Sequence, residues 1–210
     1  IGHLADMMTA AGIDLKEVRI IADDEDDIAT AVNAVRARYT YVFTTGGIGP
    51  THDDITADSI SRAFGVPCEY EPRAYALLEA NYASRGMEFS EARKRMARMP
   101  RGAELIENPV SVAPGFRIGN VHVMAGVPSI FQAMLDNVMP TLKTGTKLLS
   151  VTVQCPYGEG TIGGPLGDIQ KAHPDTIIGS YPKYLDGKFW TELVVRSRSQ
   201  EAMDAARVAI

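Results

Sequence analysis

Apolar positions along the chain recur with two alternating periods. Leu4, Met7, Met8 and Ala11 fall at helical spacing and Gly12 follows as a stop, which predicts an opening amphipathic helix. Residues 18–22, "VRIIA", predict a strand. The acidic run at 23–27 reads as the first turn of a helix, because carboxylates there complement the helix dipole and Ile28, Val32 and Val35 supply a buried stripe. A second strand is predicted at 41–45, followed by a helix whose apolar positions run from Ile55 to Phe64. Strands and helices alternating at this spacing predict an α/β fold with a mostly parallel sheet wrapped by helices.

Residues 72–99 read as helical, with Tyr75, Leu78 and Tyr82 on one face and Gly86 dividing the run. "NPVSVAPGF", 108–116, is a turn-rich loop around two prolines, and "VHVMAGVPS", 121–129, is a buried strand entering a helix that Pro128 can begin. After Leu148 the rhythm changes. A strand at 149–155, a helix at 161–172, strands at 176–180 and 189–196 and a helix from Gln200 predict a small α+β unit. The expected division is therefore an αβα domain over 1–145 and the smaller unit over 146–210.

The 210 residues are 45% hydrophobic, enough to bury one substantial core and a small second one. A net charge of −5 gives no electrostatic reason to expect a nucleic acid or an anionic membrane as partner. "GPLG", 164–167, imitates the Gly-x-x-Gly clamp of KH domains, but the acids and bases of the surrounding tail are balanced, so a structural role is expected. Cys68 and Cys155 form no Cys-x-x-Cys and suggest neither a disulfide framework nor a zinc site. No apolar run approaches a membrane-spanning length and the opening residues lack a signal-peptide pattern, so a cytoplasmic setting is expected.

Chemistry concentrates in "TTGGIGPTHDD", 44–54, at a predicted strand–turn–helix junction. Gly46, Gly47 and Gly49 can take backbone angles closed to other residues and let a ligand approach main-chain N–H groups, which together with a helix N-terminus attract phosphate. A tight turn relieving strain accounts for the same glycines equally well. The spacing is neither that of a dinucleotide fold nor that of a P-loop. Asp53 and Asp54 would repel a phosphate unless a cation intervenes, and Mg²⁺ is commonly held by one or two carboxylates plus phosphate oxygens. Thr51 three residues before Asp54 also resembles a capping box, so capping and metal binding both remain open for Asp54.

Arg93, Lys94, Arg95, Arg98 and Arg101 cluster on and after the second half of the 72–99 run. They read either as a solvated face or as a lip attracting substrate phosphates. Gly126, Pro128 and Ser129 form a second candidate ligand loop, and in an open parallel sheet both loops lie at the carboxyl ends of strands, where ligands bind. The histidines show no metal spacing, although His52 sits beside the acids, and the serines lack a nucleophile elbow.

The run "TTGGIGPTHDDITADSI" resembles the signature of the molybdopterin-binding fold family, which includes MogA and MoaB. With "NPVSVAPGF", "AGVPS" and "GPLGDIQKAHPDTIIGSYP" the chain is similar to the amino-terminal part of CinA-type competence/damage-inducible proteins and the related domain of FAD synthases. The resemblance implies a three-layer αβα domain and a divalent-metal-dependent pyrophosphatase (Mg, Mn or Co) acting on a nucleotide such as ADP-ribose or FAD. A molybdopterin adenylyl-transfer enzyme and a non-catalytic pterin- or nucleotide-binding module are the alternatives, with molybdopterin a possible ligand. By position it implies that Thr44, Thr45, Gly46, Gly47 and Gly49 cradle phosphate and that Pro114, Gly115, Gly126, Pro128 and Ser129 line the rest. Asp54 and Asp58 are then the catalytic carboxylates, with Asp54 and Asp53 toward the metal. The expected partner is a small phosphorylated nucleotide or pterin, with no nucleic acid and no membrane, in a homo-oligomer. Members of the family begin with a central strand ending in an acidic loop. About ten to twenty further residues ahead of Ile1, enough for such a strand and loop, are therefore expected in the natural protein. The deamidase activity of CinA carboxy-terminal domains is not implied by the matched segments.

Overall fold

Helix α1 (Gly2–Ala10) forms on the predicted stripe and buries Met8, with Gly12 beyond it at φ +72°. α2 (Glu25–Arg36) begins where the acidic run predicts, with Asp24 as N-cap accepting from the Asp27 N–H and three acids in the first turn. The elements that follow are β1 (Val42–Thr45), α3 (Thr56–Phe64), β2 (Cys68–Tyr70), α4 (Pro72–Ser84), α5 (Glu91–Lys94), β3 (Arg98–Pro100), β4 (Glu104–Ile106), β5 (Gly115–Ile118), β6 (Val121–Met124) and α6 (Pro128–Val138). The chain ends with β7 (Leu149–Cys155), α7 (Glu159–Ala172), β8 (Ile177–Leu185), β9 (Lys188–Ser197) and α8 (Gln200–Ala209). This computed structural model describes residues 1–210 and groups them into two units, Glu17–Leu142 and Ile1–Lys16 with Lys143–Ile210. The opening helix is thus grouped with the carboxy-terminal part of the chain.

In the unit Glu17–Leu142 the sheet has the order β1-β6-β5-β4. β1 and β6 pair in parallel, Val42 opposite Val121 and Thr45 opposite Met124, while β5 runs antiparallel to both β6 and β4. Val42, Val121, Val123 and Phe116 point to one face and pack with Ala29 and Val32 of α2, Ile60 and Ala63 of α3 and Ala74 and Leu78 of α4. On the other face a Cβ at Gly115 would clash with the backbone carbonyl of Val123 in β6 and lie 2.5 Å from Met134 Cε of α6, so the lack of a side chain at 115 permits close packing there. Helices on both faces of a sheet with a parallel pair make the three-layer αβα class expected from sequence.

Two sequence expectations fail in this unit. Residues 18–22 form no strand, and Ile20 is 92% exposed. A β-prone run needs a neighbour to accept its ladder hydrogen bonds, and no strand pairs with it here. The 72–99 run divides near Gly86 as expected, α4 ending at Ser84, but its second half is helical only over the four residues of α5. After α5 the chain tightens into a 3₁₀ turn, Arg95–Ala97, and becomes β3, which pairs antiparallel with β2. Burial of Ala97 and Met99 in the core outweighs their helical propensity.

In the second unit β7-β9-β8 form an antiparallel sheet with Val151, Val195 and Ile178 in register, covered on that face by Met203 and Ala206 of α8. The backbones of Gly12 and Gly145 touch, since a Cβ at Gly12 would meet Gly145 O at 2.3 Å. The Arg198 guanidinium adds to this junction by donating to Gly12 O at 3.3 Å, to Thr146 O and to Asp14 at 2.7 Å. "GPLG" lies inside α7 and forms no clamp loop.

His122 sits within β6, stacked on Phe43 at 5.2 Å between centroids, and its Nδ1 is buried without a hydrogen-bond partner. Burial lowers its pKa below the ordinary histidine value, and the nearby Arg117 adds to the effect. The unfolded chain therefore binds a proton that the folded chain refuses. Stability should be indifferent to this group above about pH 6.5 and should fall as pH drops below it, until the folded state also takes the proton. Thermal melts from about pH 5 to pH 8 should show this acid slope reduced in His122→Phe; an unchanged slope would assign it to other groups.

Candidate functional site

Because β1 and β6 run parallel, the loops that follow them leave the same edge of the sheet. The Gly46 N–H donates to Met124 O at 3.0 Å, the Thr45 hydroxyl donates to Ala125 O at 3.0 Å, and a Cβ at Gly126 would lie 3.1 Å from Gly46 Cα. The two candidate loops are therefore joined backbone to backbone. Gly47, at φ +67°, turns the chain onto α3: Thr56 donates its N–H to Gly47 O at 2.9 Å and its hydroxyl to Gly46 O at 3.0 Å.

Gly49 presses on a carboxylate. A Cβ there would lie 2.6 Å from Asp54 Oδ2. That oxygen accepts the Thr51 N–H at 2.8 Å and the Thr51 hydroxyl at 2.6 Å. Half of the capping-box pattern is thus present, but it closes a turn ahead of the helix: α3 begins at Thr56, with Ile55 at its cap and no side-chain cap bond. The Asp54 carboxylate instead lines a cleft whose other walls are Gly47, Ile48, Gly49, Ala57, Asp58, Arg95, Met96, Arg98, Pro114 and Phe116.

Arg98 grips Asp58 with two bonds, at 2.6 and 3.2 Å, and both side chains are largely shielded from solvent. Arg95 reaches the same cleft and donates from Nη2 to the Asp54 carbonyl at 3.4 Å, while its Nε is buried without an acceptor. Pro114 and Phe116 are held in place by Asn108, whose side chain donates to Ser111 Oγ and Ala113 O and accepts the N–H groups of Val110 and Ser111. Val112 in this loop has φ +68°, a conformation unfavourable for a β-branched residue that this network maintains.

Of the residues implicated by sequence, Gly47, Gly49, Asp54, Asp58 and Pro114 meet in the cleft. Thr44, Thr45 and Gly46, expected to cradle phosphate, are outside the cleft lining; Thr45 is exposed and the Thr44 hydroxyl is buried without a partner. Gly115 allows close packing of β5, and Gly126 meets Gly46. Pro128 and Ser129 open α6 at the surface. Asp53 is outside the cleft lining, with its Oδ1 4.0 Å from His52 Nδ1. Its carboxyl is drawn below the usual range by the neighbouring Thr51 hydroxyl and its own N–H.

The basic run divides. Arg93 lies over the Tyr82 ring at 4.6 Å, Lys94 pairs with Glu91 and Arg101 with Glu69, whereas Arg95 and Arg98 turn inward. The sequence showed the charge cluster but not which members face the cleft. Burial raises the Cys68 thiol above its usual range, which makes it a poor nucleophile.

No group of three or more His, Cys, Asp or Glu side chains is placed to hold a metal. The donor chemistry nevertheless fits a cation that arrives with a phosphate, since such ions often take only one or two protein carboxylates. Asp54 has one oxygen outside the Thr51 bonds, whereas both Asp58 oxygens lie on Arg98.

A family model described as a probable molybdopterin binding domain matches residues 2–144, and the middle domain of FAD synthase matches 147–210. The chain belongs to the molybdopterin-binding-domain family, of which it is a CinA-like member. A protein of Aeropyrum pernix is 30% identical over 219 aligned positions, covering 99% of this chain and 81% of its relative. A CinA-like protein of Desulfosudis oleivorans is 35% identical over 68% of this chain and 36% of its own length. The crystal structure of the protein CinA from Thermoplasma acidophilum, described as of unknown function, superposes with a TM-score of 0.61 at 28% identity, covering 67% of this chain and 84% of that one. No helix is long and apolar enough to cross a membrane.

Alanine at position 49 would displace the Asp54 carboxylate while leaving the buried core untouched. Gly49→Ala should weaken binding of ADP-ribose, measured by titration calorimetry, by about 10-fold or more with little change in melting temperature. Unaltered affinity would remove the Gly49–Asp54 contact from the site.

Proposed function

We propose that the cleft binds the phosphates of a nucleotide and, with a divalent cation, hydrolyses a pyrophosphate such as that of ADP-ribose or FAD. The observation that carries this reading is the convergence of the glycine loop, the Asp54 carboxylate and two guanidinium groups on one cleft. Main-chain N–H groups of Gly47 and Gly49 and the cationic side chains suit phosphate oxygens. The lining charges of Asp54 and Asp58 balance those of Arg95 and Arg98, so a bound pyrophosphate leaves net negative charge. A divalent cation bound beside Asp54 would offset it and activate water at neutral pH. Asp54 then holds the cation or orients the attacking water, and Asp58 acts through the Arg98 pair to fix the cleft wall.

A second reading, a pterin- or nucleotide-binding module without turnover, has its own support: Asp58 is committed to Arg98 and Asp54 is partly tied to Thr51. Incubation with ADP-ribose, FAD or NADH and Mg²⁺, Mn²⁺ or Co²⁺ separates the two. The hydrolase reading expects AMP as product, and Asp54→Asn should lower its release by about 100-fold while the melting temperature changes little. Absence of AMP with every metal, together with tight pterin or nucleotide binding, would establish the module instead.

A further inference from the structure

We propose that Arg95 is the phosphate receptor of the cleft, an assignment that rests on the ligand reading above and identifies the side chain on which affinity depends. Every other cation of the run 93–101 has a side-chain partner within the fold. Arg93 lies over Tyr82, Lys94 Nζ is 2.5 Å from Glu91, Arg98 is doubly bonded to Asp58 and Arg101 to Glu69. Arg95 has no carboxylate. Its single hydrogen bond is the 3.4 Å contact from Nη2 to the Asp54 carbonyl, and its Nε is buried with no acceptor.

A guanidinium carries five donors in a planar fork that matches a phosphate, and a buried donor left unpaired is costly. An anion entering the cleft therefore gives Arg95 what the fold withholds. Arg98 cannot serve equally well, because drawing it onto a phosphate would leave Asp58 uncompensated in a shielded position. The local chain explains the difference. Arg95 opens the 3₁₀ turn after α5, and its bond to the Asp54 carbonyl keeps the guanidinium beside the end of the glycine loop. Arg98 begins β3, next to buried Met99, with Asp58 of α3 across from it. The loop N–H groups and Arg95 thus approach one phosphate from two sides, while the Arg98–Asp58 pair stays closed.

The test is titration calorimetry of wild type, Arg95→Met and Arg95→Lys with inorganic pyrophosphate and with AMP, each with Mg²⁺, alongside melting curves. Arg95→Met should raise Kd by about 10- to 100-fold for both ligands equally, because the phosphate is what they share. Arg95→Lys keeps the charge without the fork and should lose about 3- to 10-fold, which carries the test if the methionine variant does not fold. Wild-type binding with unchanged Kd in the variants, or a loss confined to AMP, would overturn the assignment and leave the ligand reading standing. Failure of wild type to bind either ligand would overturn both.

Discussion

The parallel pairing of β1 with β6 is the constraint on which the site depends. It sends two loops off the same edge of the sheet, and the absence of side chains at Gly46 and Gly126 lets those loops meet backbone to backbone. The same freedom at Gly47 seats the first loop on Thr56 at the start of α3, and at Gly49 it brings the chain against Asp54. A side chain at Gly47, Gly49 or Gly126 would crowd Thr56, Asp54 or Gly46, and one at Gly46 is disfavoured by its φ of +97°. The close contacts make these glycines structural, and on the proposed reading the same geometry presents the loop to a ligand.

Charge in the cleft is arranged with unequal freedom. Asp58 and Arg98 neutralise each other through two bonds in a shielded setting, where breaking one partner away is costly. Asp54 and Arg95 are tied mainly through neutral groups, Thr51 and a main-chain carbonyl. On the proposed reading, a ligand phosphate and its cation would engage the second pair without disturbing the first. The division gives the site a fixed wall and a responsive one.

Much of this was legible in the residues. The strand–glycine–helix junction, the burial of β6, the entry of Pro128 into α6 and the acidic start of α2 all follow from local pattern and dipole chemistry. The strand at 149–155 was readable to the residue. What local pattern could not carry was long-range: helical periodicity at 95–99 gave way to burial of Ala97 and Met99, and nothing nearby in sequence announces that Arg98 meets Asp58 forty residues earlier. The 18–22 run has strand chemistry but no strand beside it. One missed signal was local. Asp186 and Gly187, at φ +50° and +75°, make the tight Asp-Gly turn that extends β8 to Leu185, and that dipeptide was present to be read.

The central claim, that the glycine loop and the inward-facing charges form one anion-binding cleft, is tested most directly by backbone and arginine side-chain NMR during titration with ADP-ribose and Mg²⁺. The largest shifts should fall on the N–H groups of Gly47 and Gly49, on Asp54 and on the Arg95 Nε–H, with the Arg98 Nε–H and the residues of β7 to β9 little changed. Shifts centred on the carboxy-terminal sheet, or a glycine loop that stays silent while ligand binds, would contradict it.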